Sequence, residues 1–191
     1  MDHALKVLGF AGSLRKGSYN RAALRAAKGL APEGMQIEIF DLDEIPLYNG
    51  DVEVQGFPES VEEFKRKIKE ADGLLIVAPE YNYSIPGVLK NAIDWASRLP
   101  AETPLDGKPV AIMGASTGRF GTLRSQLHLR QVCFSLNMPT LLKPEVYISQ
   151  AGNKFDENGN LTDEATIERV RSLLYAFAEW MVKFKGHHGE S

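Results

Sequence analysis

"LKVLGFAGSLRKGSYNRAALRAAKGL", residues 5–30, changes character twice. It opens on an apolar run, Leu5 to Ala11, passes through the glycine-, serine- and base-rich stretch "GSLRKGSYN" (12–20), and continues into alanine-rich helix formers. A nearly continuous apolar run suits a strand buried on both faces of a parallel sheet. A loop that leaves such a strand and enters a helix exposes unpaired backbone N–H groups at the positive end of the helix dipole, where anions bind. Ser13 and Ser18 add hydroxyl donors, Asn20 an amide and Arg15 a planar fork suited to phosphate oxygens. The plainer reading is a serine N-cap followed by a solvated basic turn.

The pattern then repeats. Further β-type runs lie at 35–42, 73–78, 109–115 and 140–149, and helical stretches are predicted at 19–30, 60–71, 86–98, 121–137 and 163–184. The 35–42 run alternates, as an edge strand does, and Pro144 restricts the last run to an edge or a bulge. Ser60 with Glu63 reads as a capping box, Thr162 or Asp163 as the cap of the last helix, and Pro86 as a first-turn residue. Strand–helix alternation with five strands predicts an α/β, flavodoxin-like three-layer sandwich with a parallel sheet in the order 2-1-3-4-5. Residues 1–191 form one domain, with 185–191 as a tail, and 150–163 is a polar loop inside it.

Composition excludes several function classes. A formal charge of −3 argues against a surface devoted to nucleic acid. One cysteine, Cys133, rules out an intramolecular disulfide or a cysteine-rich metal site and reads as a buried helix residue. His3, His128, His187 and His188 have no metal-ligand spacing, so no metal is expected. No run approaches the ~20 apolar residues of a membrane span. No signal peptide is legible, so the expected location is cytoplasmic, and the glycosylation-like "NYS" (82–84) and "NLT" (160–162) are read as chance.

In a sheet of this order ligands sit beyond the carboxyl ends of the strands, so the loops after the first, third and fourth runs matter most. The first matches the glycine spacing of a P-loop but has Ser18 where the lysine belongs, and Gly9, Gly12 and Gly17 miss the dinucleotide fingerprint. What remains is a compact site for one terminal phosphate. The second, "APEYNYSIPGVLKNAIDW" (78–95), sets tyrosines and polar residues against Pro86, which suits a flat heteroaromatic ligand or, more simply, a packed surface turn. The third, "GASTGRFGTLRSQ" (114–126), has glycines that admit close backbone approach, while Arg119 either neutralises negative charge or faces solvent.

"GSLRKGSYNRAAL" (12–24), "PEYNYSIPGVLKNAIDWASR" (79–98) and "STGRFG" (116–121) together resemble the NAD(P)H-dependent FMN reductase family of flavodoxin-like flavoproteins, which includes quinone, azo-compound and chromate reductases. The resemblance implies that Ser13, Arg15, Ser18 and Asn20, with the backbone around Tyr19, hold the FMN phosphate. It implies that Pro79, Glu80, Tyr81, Asn82 and Tyr83 border the isoalloxazine ring, and that Ser116, Thr117, Gly118 and Arg119 reach its pyrimidine side. The family's chemistry is hydride transfer from NADPH or NADH to the flavin and then reduction of a small acceptor, expected to be ping-pong because no second nucleotide motif is present. No side chain need act as a catalyst; Arg119 is the candidate for electrostatic tuning. The family also implies a homodimer or homotetramer, with Ile93 and Trp95 as core or interface. Two other readings stay open: a flavodoxin-type electron carrier with little NAD(P)H activity, against which Arg15 and Lys16 argue, and a flavin-free binding module.

Overall fold

The computed structural model describes residues 4–98 and 103–187, with side chains through 184. Five parallel strands, β1 (Leu5–Ala11), β2 (Met35–Phe40), β3 (Gly73–Val77), β4 (Val110–Ala115) and β5 (Val146–Ile148), form one sheet in the order β2-β1-β3-β4-β5. Every pairing is parallel, from Val7 beside Ile37 at one edge to Gly114 beside Tyr147 at the other. The connections are α1 (Tyr19–Gly29), α2 (Gly50–Gln55), α3 (Glu59–Glu70), α4 (Gly87–Ala96), α5 (Leu123–Ser135) and α6 (Glu164–His187). The expected three-layer α/β architecture and strand order are those observed.

Strand periodicity divides the core in two. Val7, Leu75, Val77, Ala111 and Met113 face one side and pack with α1 and α6 through Leu24, Leu174, Phe177 and Met181. Leu8, Phe10, Leu74, Ile76 and Ile112 face the other and meet α3, α4 and α5 through Phe64, Ile68, Ile93, Trp95 and Leu129. Phe64 sits edge-on to Phe10 at 5.3 Å, locking α3 to β1. Ile93 and Trp95 are therefore core, and Trp95 also donates its indole N–H to the Pro46 carbonyl at 2.8 Å.

Several boundaries differ from the sequence-based expectation, each for a physical reason. α3 begins at Glu59 because Pro58, with fixed φ and extended ψ, takes the cap position. Ser60 is no N-cap; its hydroxyl donates to the Glu44 carbonyl, and Glu63 pairs with Arg66 instead. Pro86 likewise precedes α4 at its cap. The last strand is cut to Val146–Ile148, since Pro144 cannot join the ladder and only Thr140 bridges to Val110 before it. The short α2 has no buried residue, hence no apolar stripe to reveal it, and is started by Asn49 accepting from the Asp51 N–H. Asp163 caps α6 by accepting from the Thr166 N–H at 3.0 Å. That helix runs on through His187, past the expected tail boundary at 185; His3 and His188 lie outside the described residues.

At the carboxyl end of β4 the backbone is crowded. A Cβ on Gly114 would stand 2.2 Å from the Ala78 carbonyl oxygen and 2.2 Å from the Thr122 hydroxyl oxygen. Gly114→Ala is expected to destabilise the fold by about 3 kcal/mol, because backbone must move to admit the methyl; urea denaturation measures it. Burial pushes the Cys133 thiol from 9.0 up to about 12. Between those values the unfolded chain loses a proton the folded chain keeps, so this contribution to stability is whole below the free-thiol range and fades as pH rises through it. The parent is expected to lose more stability there than Cys133→Ala in the same urea titration.

Candidate active site: a cleft at the switch point of the sheet

The first three loops of interest converge beyond the carboxyl ends of β1, β3 and β4, where the chain crosses from one side of β1 to the other. They enclose an open cleft of 220 Å³ lined by Ser13, Arg15, Ser18, Tyr19, Asn20, Pro79, Glu80, Tyr81, Ala115, Ser116 and Thr117. Ten of the residues expected from sequence thus meet in one place; Ala115 was not anticipated. Asn82, Tyr83, Gly118 and Arg119 are not in the lining. A larger hollow of 560 Å³ opens at the amino ends of β1 and β2 between Lys6, Glu38 and Lys67. The parallel-sheet rule favours the smaller one, because the loops that offer free donors all lie at the carboxyl ends.

The first loop is an unfilled set of donors. No backbone N–H of residues 13–17 is hydrogen-bonded to any described residue, nor is that of Tyr19. Ser18 caps α1 by accepting from the N–H groups of Asn20 at 3.2 Å and Arg21 at 3.5 Å, which leaves its own hydroxyl hydrogen available. The Arg15 guanidinium forms no ion pair with a described residue, whereas Arg21 is held by Asp41 at 2.7 Å. The Tyr19 ring packs on Phe155, with ring centroids 5.4 Å apart.

Asn20 does something the sequence did not reveal. It is buried, and its amide bonds both ways to Ala115: Nδ2 donates to the carbonyl at 2.8 Å and Oδ1 accepts from the N–H at 2.8 Å. The side chain expected to face phosphate fastens the start of α1 to the end of β4, with one amide hydrogen left over. Glu80 also turns away from the cleft. Its carboxylate, 7 % exposed, ion-pairs with Arg124 and accepts from the Arg124 N–H at 3.0 Å and the Ser125 N–H at 3.4 Å. Beside it, Ser125 donates to the Pro79 carbonyl at 2.8 Å, and His128 meets the Ser84 hydroxyl at 3.0 Å. Arg124, Ser125 and His128 are the residues sequence reasoning passed over; their signal is the shared face at the start of one helix.

The third loop is tied to the sheet edge: Ser116 N–H donates to the Ile148 carbonyl, and the Ser116 hydroxyl oxygen accepts from Gly118 N–H at 3.1 Å. Among the described residues no group of three metal-binding side chains occurs, and no helix is long and apolar enough to cross a membrane.

Free donors of the first loop meet the second and third loops in this one cleft. Residues 5–153 match the family model of NADPH-dependent FMN reductases. The chain belongs to that family. It is an oxidoreductase, with FMN and NAD(P)H as the family's cofactor and reductant. It is 55% identical over 186 residues to an NAD(P)H-dependent FMN reductase of Pseudomonas aeruginosa, covering 97% of this chain and 100% of that one. A quinone reductase of Escherichia coli is 44% identical over 188 residues, covering 97% and 100%. The solved flavoenzyme NAD(P)H:(acceptor) oxidoreductase FerB from Paracoccus denitrificans superposes with a TM-score of 0.86 at 33% identity, over 94% of this chain and 98% of that one.

Asn20→Leu is expected to cost about 2–3 kcal/mol, since it strands the Ala115 N–H and carbonyl in a buried setting. Urea denaturation of the two proteins checks it.

Proposed function

We propose that this reductase binds FMN in the switch-point cleft and passes electrons from NAD(P)H to a small acceptor, such as a quinone, by a ping-pong mechanism. The observation that carries the reading is the run of unpaired N–H groups at residues 13–17, beside the Arg15 guanidinium and the Ser13 and Ser18 hydroxyls. That donor set fits a phosphate dianion and nothing apolar. When bound, FMN supplies the hydride-accepting and electron-donating chemistry; the protein binds, orients and tunes it.

The chain's own part follows from the loops. Residues 13–19 hold the anionic end through backbone donors that need no reorganisation on binding. Pro79 and Tyr81 flank the flat part, with Tyr81 51% exposed at the rim. Ser116 and Thr117 close the far side. Asn82 and Tyr83 form the turn beyond Tyr81, and Gly118 with Arg119 form the outer lip of the third loop, where the Arg119 charge reaches the site only through space. The small open cleft supports one exposed ring face visited in turn by reductant and acceptor, which is why ping-pong kinetics are expected. The resemblance to quinone reductases supports the acceptor class. A homodimer or homotetramer in the cytoplasm completes the reading, with Leu47, Val54 and Phe134, each more than four-fifths exposed, as apolar surface for a second copy.

The purified protein is expected to show a two-banded flavin spectrum that bleaches when NADPH is added without oxygen. Initial rates with a quinone should then give parallel double-reciprocal lines. A protein that takes up no added FMN would remove the cofactor assignment, and intersecting lines would remove the ping-pong order.

A further inference from the structure

The turn that forms the cleft's rim is strained, and it is held from outside. Asn82 and Tyr83 both have positive φ, 49° and 69°, at the centre of a turn closed by Tyr81 N–H to Ser84 carbonyl at 3.0 Å and the reverse at 2.9 Å. That is the pattern of a type I′ turn, a conformation suited to asparagine and glycine and costly for tyrosine. Neither Asn82 N–H nor Tyr83 N–H is paired with a described residue. The strained geometry therefore displays two adjacent backbone donors beside the cleft.

Arg124 accounts for the persistence of that turn. Its guanidinium lies 3.7 Å from the centroid of the Tyr83 ring and 5.5 Å from that of Phe120, while ion-paired to the Glu80 carboxylate. Glu80 in turn caps α5. The Thr122 hydroxyl oxygen accepts from the Gln126 side-chain amide at 3.0 Å and caps no backbone N–H of the helix, and Glu80 supplies the missing acceptor to Arg124 N–H and Ser125 N–H from a different loop. One fork thus joins the second loop, the start of α5 and the strained tyrosine. Lysine could not replace it, since stacking and two-point pairing both need the planar group.

We infer that Arg124 is a positioning residue of the reductase: through Glu80 and Tyr83 it fixes the Tyr81–Ser84 turn so that the Asn82 and Tyr83 N–H groups meet the polar edge of the flavin. This rests on the reading of the cleft as the FMN site. Arg124 is not part of the cleft lining; it acts by keeping a strained turn in the one geometry that presents those donors. Because such donors stabilise the two redox forms of a ring unequally, their loss alters the potential as well as the affinity.

The test titrates FMN into apo-protein of the parent, Arg124→Ala, Arg124→Lys and Arg66→Ala, following flavin fluorescence, and then measures the midpoint potential of each reconstituted protein. Arg66 forms an exposed ion pair on α3 and serves as the control. Arg124→Ala is expected to raise the Kd for FMN about tenfold, as for one lost hydrogen bond of this class, and to move the potential. Arg124→Lys should recover little of either, and Arg66→Ala should change neither. A folded Arg124→Ala protein with unchanged affinity overturns the inference. So does weakened affinity with an unmoved potential, which a merely loosened scaffold would give. Parent protein that binds no FMN overturns the cofactor reading instead; the clamp is then judged alone by a urea double-mutant cycle between Glu80→Gln and Arg124→Ala in apo-protein. Coupled losses support the clamp and additive losses overturn it.

Discussion

Loops at the carboxyl edge of a parallel sheet have no ladder to hold them, yet this site needs three of them in register. The tie that makes this possible is the Asn20 amide, bonded in both directions to the Ala115 backbone at 2.8 Å. It brings the phosphate-type loop, which opens on β1, against the end of β4, two strands away. A buried side chain that satisfies both the backbone donor and the backbone acceptor of one residue is hard to replace, because any substitute leaves polar backbone unpaired out of water. Glu80 does the equivalent for the second loop by capping α5, and the Ser116 N–H does it for the third by bonding across to β5. With all three loops anchored by their own side chains and backbone, the N–H groups of residues 13–17 can remain unpaired without collapsing onto the protein.

This division of labour separates residues that hold the site from residues that face it. Asn20 and Glu80 line the cleft but direct their polar atoms into the scaffold. The Ser13 hydroxyl, the Arg15 guanidinium and the N–H groups of residues 13–17 are unpaired with any described residue, and Ser18, whose oxygen caps α1, keeps its hydroxyl hydrogen available. The distinction matters for substitution. Removing a scaffold side chain disturbs every loop it joins, whereas removing a free donor weakens one contact. On the proposed reading, the work left to the protein is to preorganise dipoles around a cofactor that carries the chemistry.

Much of this was legible in the sequence. Apolar runs such as Leu74–Val77, with every side chain buried, gave the parallel strands, and glycine- and serine-rich stretches after them marked the loops. Those signals are local, and so they survive in a single chain. What was not legible is reciprocal and long-range. Nothing near Asn20 says that its partner is Ala115, and nothing near Glu80 announces an acceptor for the amides of Arg124 and Ser125. α2 was missed because a helix with no buried face leaves no periodicity, and the α3 start was misplaced because Pro58 outweighed the Ser60–Glu63 pattern. The family motifs pointed to loops that converge on one cleft, while the side chains' separate partners required the fold.

The central claim is that the first loop is a phosphate site, and the measurement that addresses it most directly compares FMN with riboflavin. Isothermal titration of apo-protein with each ligand isolates the terminal phosphate, since the ring and ribityl chain are shared. Two or more charge-assisted hydrogen bonds from residues 13–19 contribute about 3 kcal/mol or more, so FMN should bind at least about a hundredfold more tightly. Equal affinity for riboflavin would mean that the free N–H groups of this loop hold no phosphate, and would contradict the account at its base.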